Sequence, residues 1–231
     1  MTKGSPLKLM LQFALPLLME NLLQQTYNII DAAIVGQILG ADALASVGSS
    51  SSVQFLVLGF CIGCCAGFGV PVARYFGAGD HRTMRNYIFN GAVTAIIAAI
   101  LMIACSLSCG QILHLLSVPD DIFGNAYVYL IVIFIGIPFT LLYNYLSSIL
   151  RSVGDSRTPF LFLGFSAVLN IFLDLFCIIV LKWGCMGAAI ATITAQAISG
   201  ILCFFYIRGK MQLLRLEKEN MIVQKDAVKE L

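Results

Sequence analysis

The chain has 231 residues, 59% hydrophobic and 11% charged, with a formal net charge of +2 and a mean hydropathy of +0.92. A soluble domain carries about 25% charged residues, so these proportions exclude an ordinary cytosolic enzyme, and so small a net charge leaves no basic face for nucleic acid. Six prolines and 20 glycines are scattered among long apolar runs, which excludes a disordered chain; several runs exceed the ~18 apolar residues that read as a membrane span.

In chain order the apolar runs predict six helices, over residues 9–39, 44–76, 86–109, 122–150, 158–181 and 184–207. Their period is not the strict alternation of a barrel strand, so the expected fold class is an all-α membrane protein, a bundle of six transmembrane helices. The breaks between them carry turn chemistry, as in Gly77-Ala78-Gly79-Asp80, Pro119-Asp120-Asp121 and Gly154-Asp155-Ser156. In the second helix Gly59, Gly63 and Gly67 stand four apart, a small-residue stripe expected to let a neighbouring helix approach closely. Cys61, Cys64 and Cys65 have the spacing of a metal or redox pair but lie in an apolar segment with no histidine nearby, where cysteine serves as a small hydrophobe.

Charge orients the bundle. Lys3 and Lys8 precede the first helix; Arg74, Arg82 and Arg85 flank the second connection; Arg151 and Arg157 flank the fourth; and Arg208, Lys210, Arg215, Lys218, Lys225 and Lys229 follow the last helix. Only Lys182 falls on an odd-numbered connection. The positive-inside rule then places both termini in the cytoplasm, as six crossings require, in a multi-pass protein of the cell membrane.

Three acidic residues fall inside predicted spans: Glu20 and Asp31 in the first and Asp174 in the fifth. An ionised carboxylate at the bilayer centre costs about 2.5–3.5 kcal/mol even on the lenient insertion scale, and no lysine or arginine is expected at comparable depth. At about 100° per residue, Glu20, Gln24, Tyr27 and Asp31 share one side of the first helix, with Asn28 at its edge. Glu20 lies roughly 16 Å from Asp31 along the axis, at a different depth. Asn170 and Asp174 share a face of the fifth helix, and Thr192 and Gln196 repeat that spacing in the sixth. Hydrogen bonding between helices is the bland reading of these groups; two buried aspartates without a cation point instead to a site for a proton or small cation.

Several segments carry a resemblance. Phe13-Ala14-Leu15-Pro16, Gln24-Gln25-x-Tyr27-Asn28-x-x-Asp31, Ala41-Asp42-Ala43-Leu44-Ala45-Ser46-Val47-Gly48, Gly77-Ala78-Gly79-Asp80, the run from Leu150 to Pro159, Asn170-x-x-x-Asp174 and Gly187-Ala188-Ala189-Ile190-Ala191-Thr192 occur in the order of the multidrug and toxic compound extrusion (MATE) transporters. The chain therefore resembles one lobe of such a transporter, over nearly its whole length. The resemblance implies a cation-binding set of Asp31, Asn170, Asp174 and Thr192, a substrate cavity along Glu20, Gln24, Tyr27 and Asn28, and a bend at Pro16. Glu20 and Arg74 depart from the family pattern, which has a small or neutral residue and commonly a glutamine there. The family has two lobes in one chain; here residues 1–208 read as the N-terminal lobe and 209–231 as a charged cytoplasmic tail or a truncated inter-lobe linker.

The implied function is an antiporter, coupled to protons or sodium, that exports organic compounds of cationic or amphiphilic character. Its partners would be a small organic substrate, the lipid bilayer and either the second lobe or a second copy of the chain. A lipid-linked saccharide flippase of the related superfamily and a non-transporting membrane fragment are the alternatives. No cofactor is expected beyond the coupling ion, and no metal beyond sodium at the cation-binding residues. An enzyme is not expected, since neither His81 nor His114 has a catalytic companion at membrane depth. The topology is testable: in a cysteine-free background, single cysteines replacing Arg82 or Arg157 should resist an impermeant thiol reagent in intact cells, and one replacing Asp120 should react. The reverse pattern would invert the orientation.

Overall fold

Apolar runs far longer than a helical turn, with prolines few and spaced, leave the backbone no way to satisfy its own polar groups in a membrane except as helices. The computed structural model describes residues 6–216 and 222–223, and every regular element among them is helical. The long helices are α1 (Pro6–Leu39), α2 (Ala41–Ala78) and α3 (His81–Cys105), followed by the short α4 (Cys109–Leu115). Then come α5 (Asp120–Ser152), α6 (Arg157–Leu175) and α7 (Gly184–Lys210). A helix stands at each of the six expected positions, four of them with equal or slightly wider limits. The third is broken where the sequence predicted one run: α3 passes through a tight 3-10 turn, Ser106–Ser108, before α4 continues to Leu115. The fifth ends in one turn of π-helix, Phe176–Val180, immediately after α6.

Among the described residues, five stretches are long and apolar enough to cross a membrane: Ala41–Ala78, His81–Leu115, Asp120–Ser152, Arg157–Val180 and Gly184–Lys210. α1 has the length for a sixth but is diluted by Glu20, Gln24, Gln25, Asn28 and Asp31. It accordingly packs at the edge of the bundle against α6 and α2, with Pro16 inside it. The core is built on α5, which packs against α2 on one side and α7 on the other. Met84, Leu130, Phe134, Ile137, Ile149 and Leu150 are among the most deeply buried side chains.

α2 and α5 run parallel. The Ser46 and Ser50 hydroxyls of α2 donate to the Ile122 and Ala126 carbonyls of α5 at 3.4 and 3.3 Å, and the Cys65 thiol reaches the Leu141 carbonyl at 3.9 Å, all with the same offset of 76 residues. At the end of this seam both helices turn with the same Gly-Asp-x-Arg-Thr pattern, Gly79-Asp80-His81-Arg82-Thr83 and Gly154-Asp155-Ser156-Arg157-Thr158. Each glycine has a left-handed backbone, φ 75° and 89°, which other residues adopt only at a cost. Each aspartate then takes hydrogen bonds from the threonine three residues on, 3.0 Å from its N–H and 2.6 Å from its hydroxyl. Those bonds hold the exposed Asp80 carboxyl below the usual carboxylate range. Both turns carry legible turn chemistry in the sequence, and the second repeats the first.

The second correction concerns glycine. Gly59, Gly63 and Gly67 were expected to form a close helix contact, yet a side chain at any of them would meet nothing within 4 Å, because they face outward from the lobe. Close approach occurs elsewhere. A methyl at Gly69 would lie 2.6 and 2.7 Å from the Ser148 and Ser152 hydroxyls of α5, and one at Gly136 would collide with Ile193 of α7. Spacing identifies a stripe but not which side of the helix has a neighbour.

Part of the segment 209–231 lies against α3: the Arg85 guanidinium donates to the Leu213 carbonyl at 3.1 Å, Leu214 is buried, and the Asn90 amide donates to the Ile222 carbonyl at 3.1 Å. Lys3, Lys218, Lys225 and Lys229, which entered the charge count, lie outside the described residues.

The two kinds of glycine should respond oppositely to the same substitution. Gly136→Ala should destabilise the lobe by about 1–3 kcal/mol through overpacking, whereas Gly59→Ala should be neutral or stabilise by up to ~1 kcal/mol through helix propensity. Thermal unfolding of the purified variants measures both.

Candidate functional site

The polar residues of α1 line a pocket of about 80 Å³, room for several water molecules. Its wall is formed by Gln24, Tyr27, Asn28 and Asp31 of α1, Gln54 and Leu58 of α2, Tyr129, Ile133, Thr140, Tyr143 and Asn144 of α5, and Thr192, Ile193 and Gln196 of α7. The helical repeat brings the α1 residues onto one side, and the outlying position of α1 leaves space between it and α5. Among the described residues, no lysine or arginine lines the pocket.

Behind this wall, on α6, Asn170 and Asp174 are 1% and 0% exposed. The carboxyl groups of Asp31 and Asp174 are near enough to interact directly, and two like charges there would repel in a medium that screens them poorly. The Asn170 amide satisfies its surroundings in one orientation: its nitrogen donates to Asp174 Oδ2 at 2.8 Å and its oxygen accepts from the Thr192 N–H at 3.2 Å. The same end of the amide is 3.3 Å from the Thr192 hydroxyl, which also accepts from the Tyr27 hydroxyl at 3.3 Å. The four residues expected to form a cation site, from three helices, therefore occupy one connected cluster, with Asp31 facing the pocket and Asp174 behind it. Asp31 Oδ1, Asp174 Oδ1 and Gln196 Oε1 are buried acceptors that have no hydrogen-bond partner. A set of acceptors without donors is chemically suited to a proton or small cation and hostile to an anion.

Two expectations need correction. Glu20 was placed on the cavity wall and without a cation at its depth. It lies outside the pocket wall, and its Oε1 pairs with Arg151 Nη1 at 2.8 Å. The arginine was assigned to a connection, yet it sits in the last turn of α5, and its long side chain reaches back to α1. Asn28 does line the pocket but from an exposed position, and its amide donates to the Gln25 side chain at 3.4 Å.

The sequence reading also missed Gln54, Tyr129 and Asn144. Gln54 and Asn144 were legible by the test applied to the acids, an amide inside an apolar span. Tyr129, which shares the pocket wall with Asp31 and Gln54, had no such signal, since tyrosine is ordinary in helix interiors. The eight cysteines are all free thiols, and no cluster of three or more potential metal-binding side chains occurs among the described residues.

The connection through Thr192 makes a specific demand on its hydroxyl. Thr192→Val should cost about 0.5–1.5 kcal/mol, since the Tyr27 hydroxyl loses its acceptor, while Thr192→Ser should be close to neutral in the same unfolding measurement.

Comparison with known proteins follows from this architecture. The family model MatE matches residues 16–176. The chain is 34% identical over 214 residues to the probable multidrug resistance protein YpnP of Bacillus subtilis, covering 89% of this chain and 46% of that protein. With the probable multidrug resistance protein NorM of Thermotoga maritima it shares 31% identity over 214 residues, 89% of this chain and 46% of the relative. An outward-facing multidrug resistance MATE family transporter of the MOP superfamily has the same fold, with a TM-score of 0.91 at 22% identity, over 98% of this chain and 51% of that one. The chain thus spans about half the length of the relatives it matches.

Proposed function

Because the chain belongs to the MatE family and forms one six-helix lobe of that fold, we propose that it is the N-terminal half of an efflux antiporter that exchanges a proton or sodium ion for an organic compound. The protein is a multi-pass membrane protein; on the charge distribution, both termini face the cytoplasm of a cell membrane. A second lobe supplies the opposite wall of the substrate path.

The observation that carries this reading is the Asp31–Asp174 pair: two carboxyl groups from different helices, side by side at the back of a pocket, with an unpartnered oxygen on each. A cation between them replaces the missing donor and draws α1 toward α6. Once the ion leaves, two charged carboxylates repel in a medium that screens them poorly. Ion occupancy thereby favours one arrangement of α1 over another, and a ligand shifts a conformational balance only through such differential binding. Asn170 holds Asp174, and Thr192 ties that pair to Tyr27 of α1, so movement at the ion site is transmitted to the pocket wall.

The wall combines amide and phenol groups with Leu58, Ile133 and Ile193, a surface suited to amphiphilic compounds, and the neighbouring carboxyls favour positive charge. A phosphate-bearing saccharide lipid would call for cationic side chains, and among the described residues this pocket wall has none, which favours the organic-cation reading over flippase activity.

Asp31→Asn and Asp174→Asn test the proposal. Each should reduce gradient-driven efflux in inverted vesicles to background, with proton and sodium gradients imposed separately, while the amount of inserted protein stays unchanged. Removing a charge from an unpaired buried position does not destabilise a fold. Full transport by both variants would return the pair to a packing role.

A further inference from the structure

We propose that the Glu20–Arg151 ion pair is a gate that closes the pocket at the Arg151 end of the lobe. α1 and α5 lie antiparallel along the pocket: Asp31 and Tyr129 share its wall, while Glu20, eleven residues earlier in α1, pairs with Arg151, much later in α5. Gln24 belongs to the pocket wall; Glu20, one helical turn further, does not. Tyr143 stands between the two regions. It lines the pocket, and its hydroxyl donates to the Pro159 carbonyl at 2.9 Å.

α1 packs on α2 and α6 rather than on α5, so two long side chains bridge the gap between α1 and α5 at this level. The bridge is held at a single point. Arg151 engages Oε1 at 2.8 Å, and Oε2 of Glu20 is buried with no hydrogen-bond partner, although the residue is only 9% exposed. A bidentate pair would be the stronger fastening, and well-packed apolar residues would often be equally stable or more so. A half-satisfied pair across the end of a cavity is instead easy to part: water or a cationic group reaching Oε2 competes directly with the arginine. When it parts, the pocket opens toward the ends of α5 and α1 nearest Arg151, the cytoplasmic side on the expected topology. Charge is essential to this role and the direction of the pair is not, so exchanging the two residues should preserve it.

This inference rests on the pocket being part of a transport path, but its test reads access to the pocket and not coupling. In the intact protein with its native cysteines replaced, a single cysteine at Gln24 is labelled by an impermeant thiol reagent from the membrane face that carries Arg157. Glu20→Gln or Arg151→Gln should raise the labelling rate about tenfold by populating the open form, and the exchanged double variant Glu20→Arg/Arg151→Glu should return it to the original value. A second reporter cysteine at the fully buried Ser199 should stay unreactive in every variant. An unchanged rate at Gln24, no restoration by the exchanged pair, or increased labelling at Ser199 would each overturn the gate. The last result would make the pair a structural strut. Loss of transport in Asp31→Asn with this labelling pattern intact would leave the two conclusions independent.

Discussion

Asp31 and Asp174 stand side by side in a bundle whose interior offers them almost no donors, and the surroundings of the pair follow from that. Neither lipid nor a packed apolar core can solvate a carboxylate, so each must keep a proton, find a cation or be given hydrogen bonds. The lobe supplies one partner, the Asn170 amide, and leaves an oxygen of each acid open. The Asn170 oxygen in turn accepts from the Thr192 N–H, and the Thr192 hydroxyl accepts from Tyr27. A chain of single contacts thus runs from α6 through α7 to α1. Such a chain is sensitive to whether its first member carries charge.

The rest of the fold holds these groups without taking part in the chemistry. The parallel α2–α5 seam, stitched by serine hydroxyls onto carbonyls and ending in twin Gly-Asp-x-Arg-Thr turns, gives the lobe a stiff centre. α7 closes against that centre through Gly136, where any side chain would displace Ile193. α1 is different in kind. Its polar residues exclude it from the centre, and its position at the edge makes it a pocket wall. The Asp31–Asp174 pair and the Glu20–Arg151 pair are two points along it, about three turns apart, that tie it to the remainder.

Much of this was legible in the amino-acid order. Six spans, their all-helical character and the charge bias between connections follow from apolar run length and from the placement of lysine and arginine, properties that bilayer thickness imposes directly on sequence. The acids and amides of α1, α6 and α7 were visible for the same reason, since a polar group in an apolar span is conspicuous wherever its helix is placed. Helical spacing also correctly grouped Asn170 with Asp174 and Gln24, Tyr27 and Asp31 with one another.

Tertiary structure decided what faces what. Periodicity assigned Gly59, Gly63 and Gly67 to one stripe, but only the placement of neighbouring helices shows that the stripe looks outward and that Gly69 and Gly136 carry the tight contacts. Glu20 had the spacing of a cavity residue, yet an arginine 131 positions away in the chain claims its carboxylate; sequence distance conceals such a partner because the approach of α5 to α1 is set by the whole bundle. Tyr129 joined the site by the same route. Sequence by itself determined which groups must be kept from lipid, through the cost of burying them; the fold determined which of them meet, because that depends on the rotation and depth of each helix, and no local pattern specifies either.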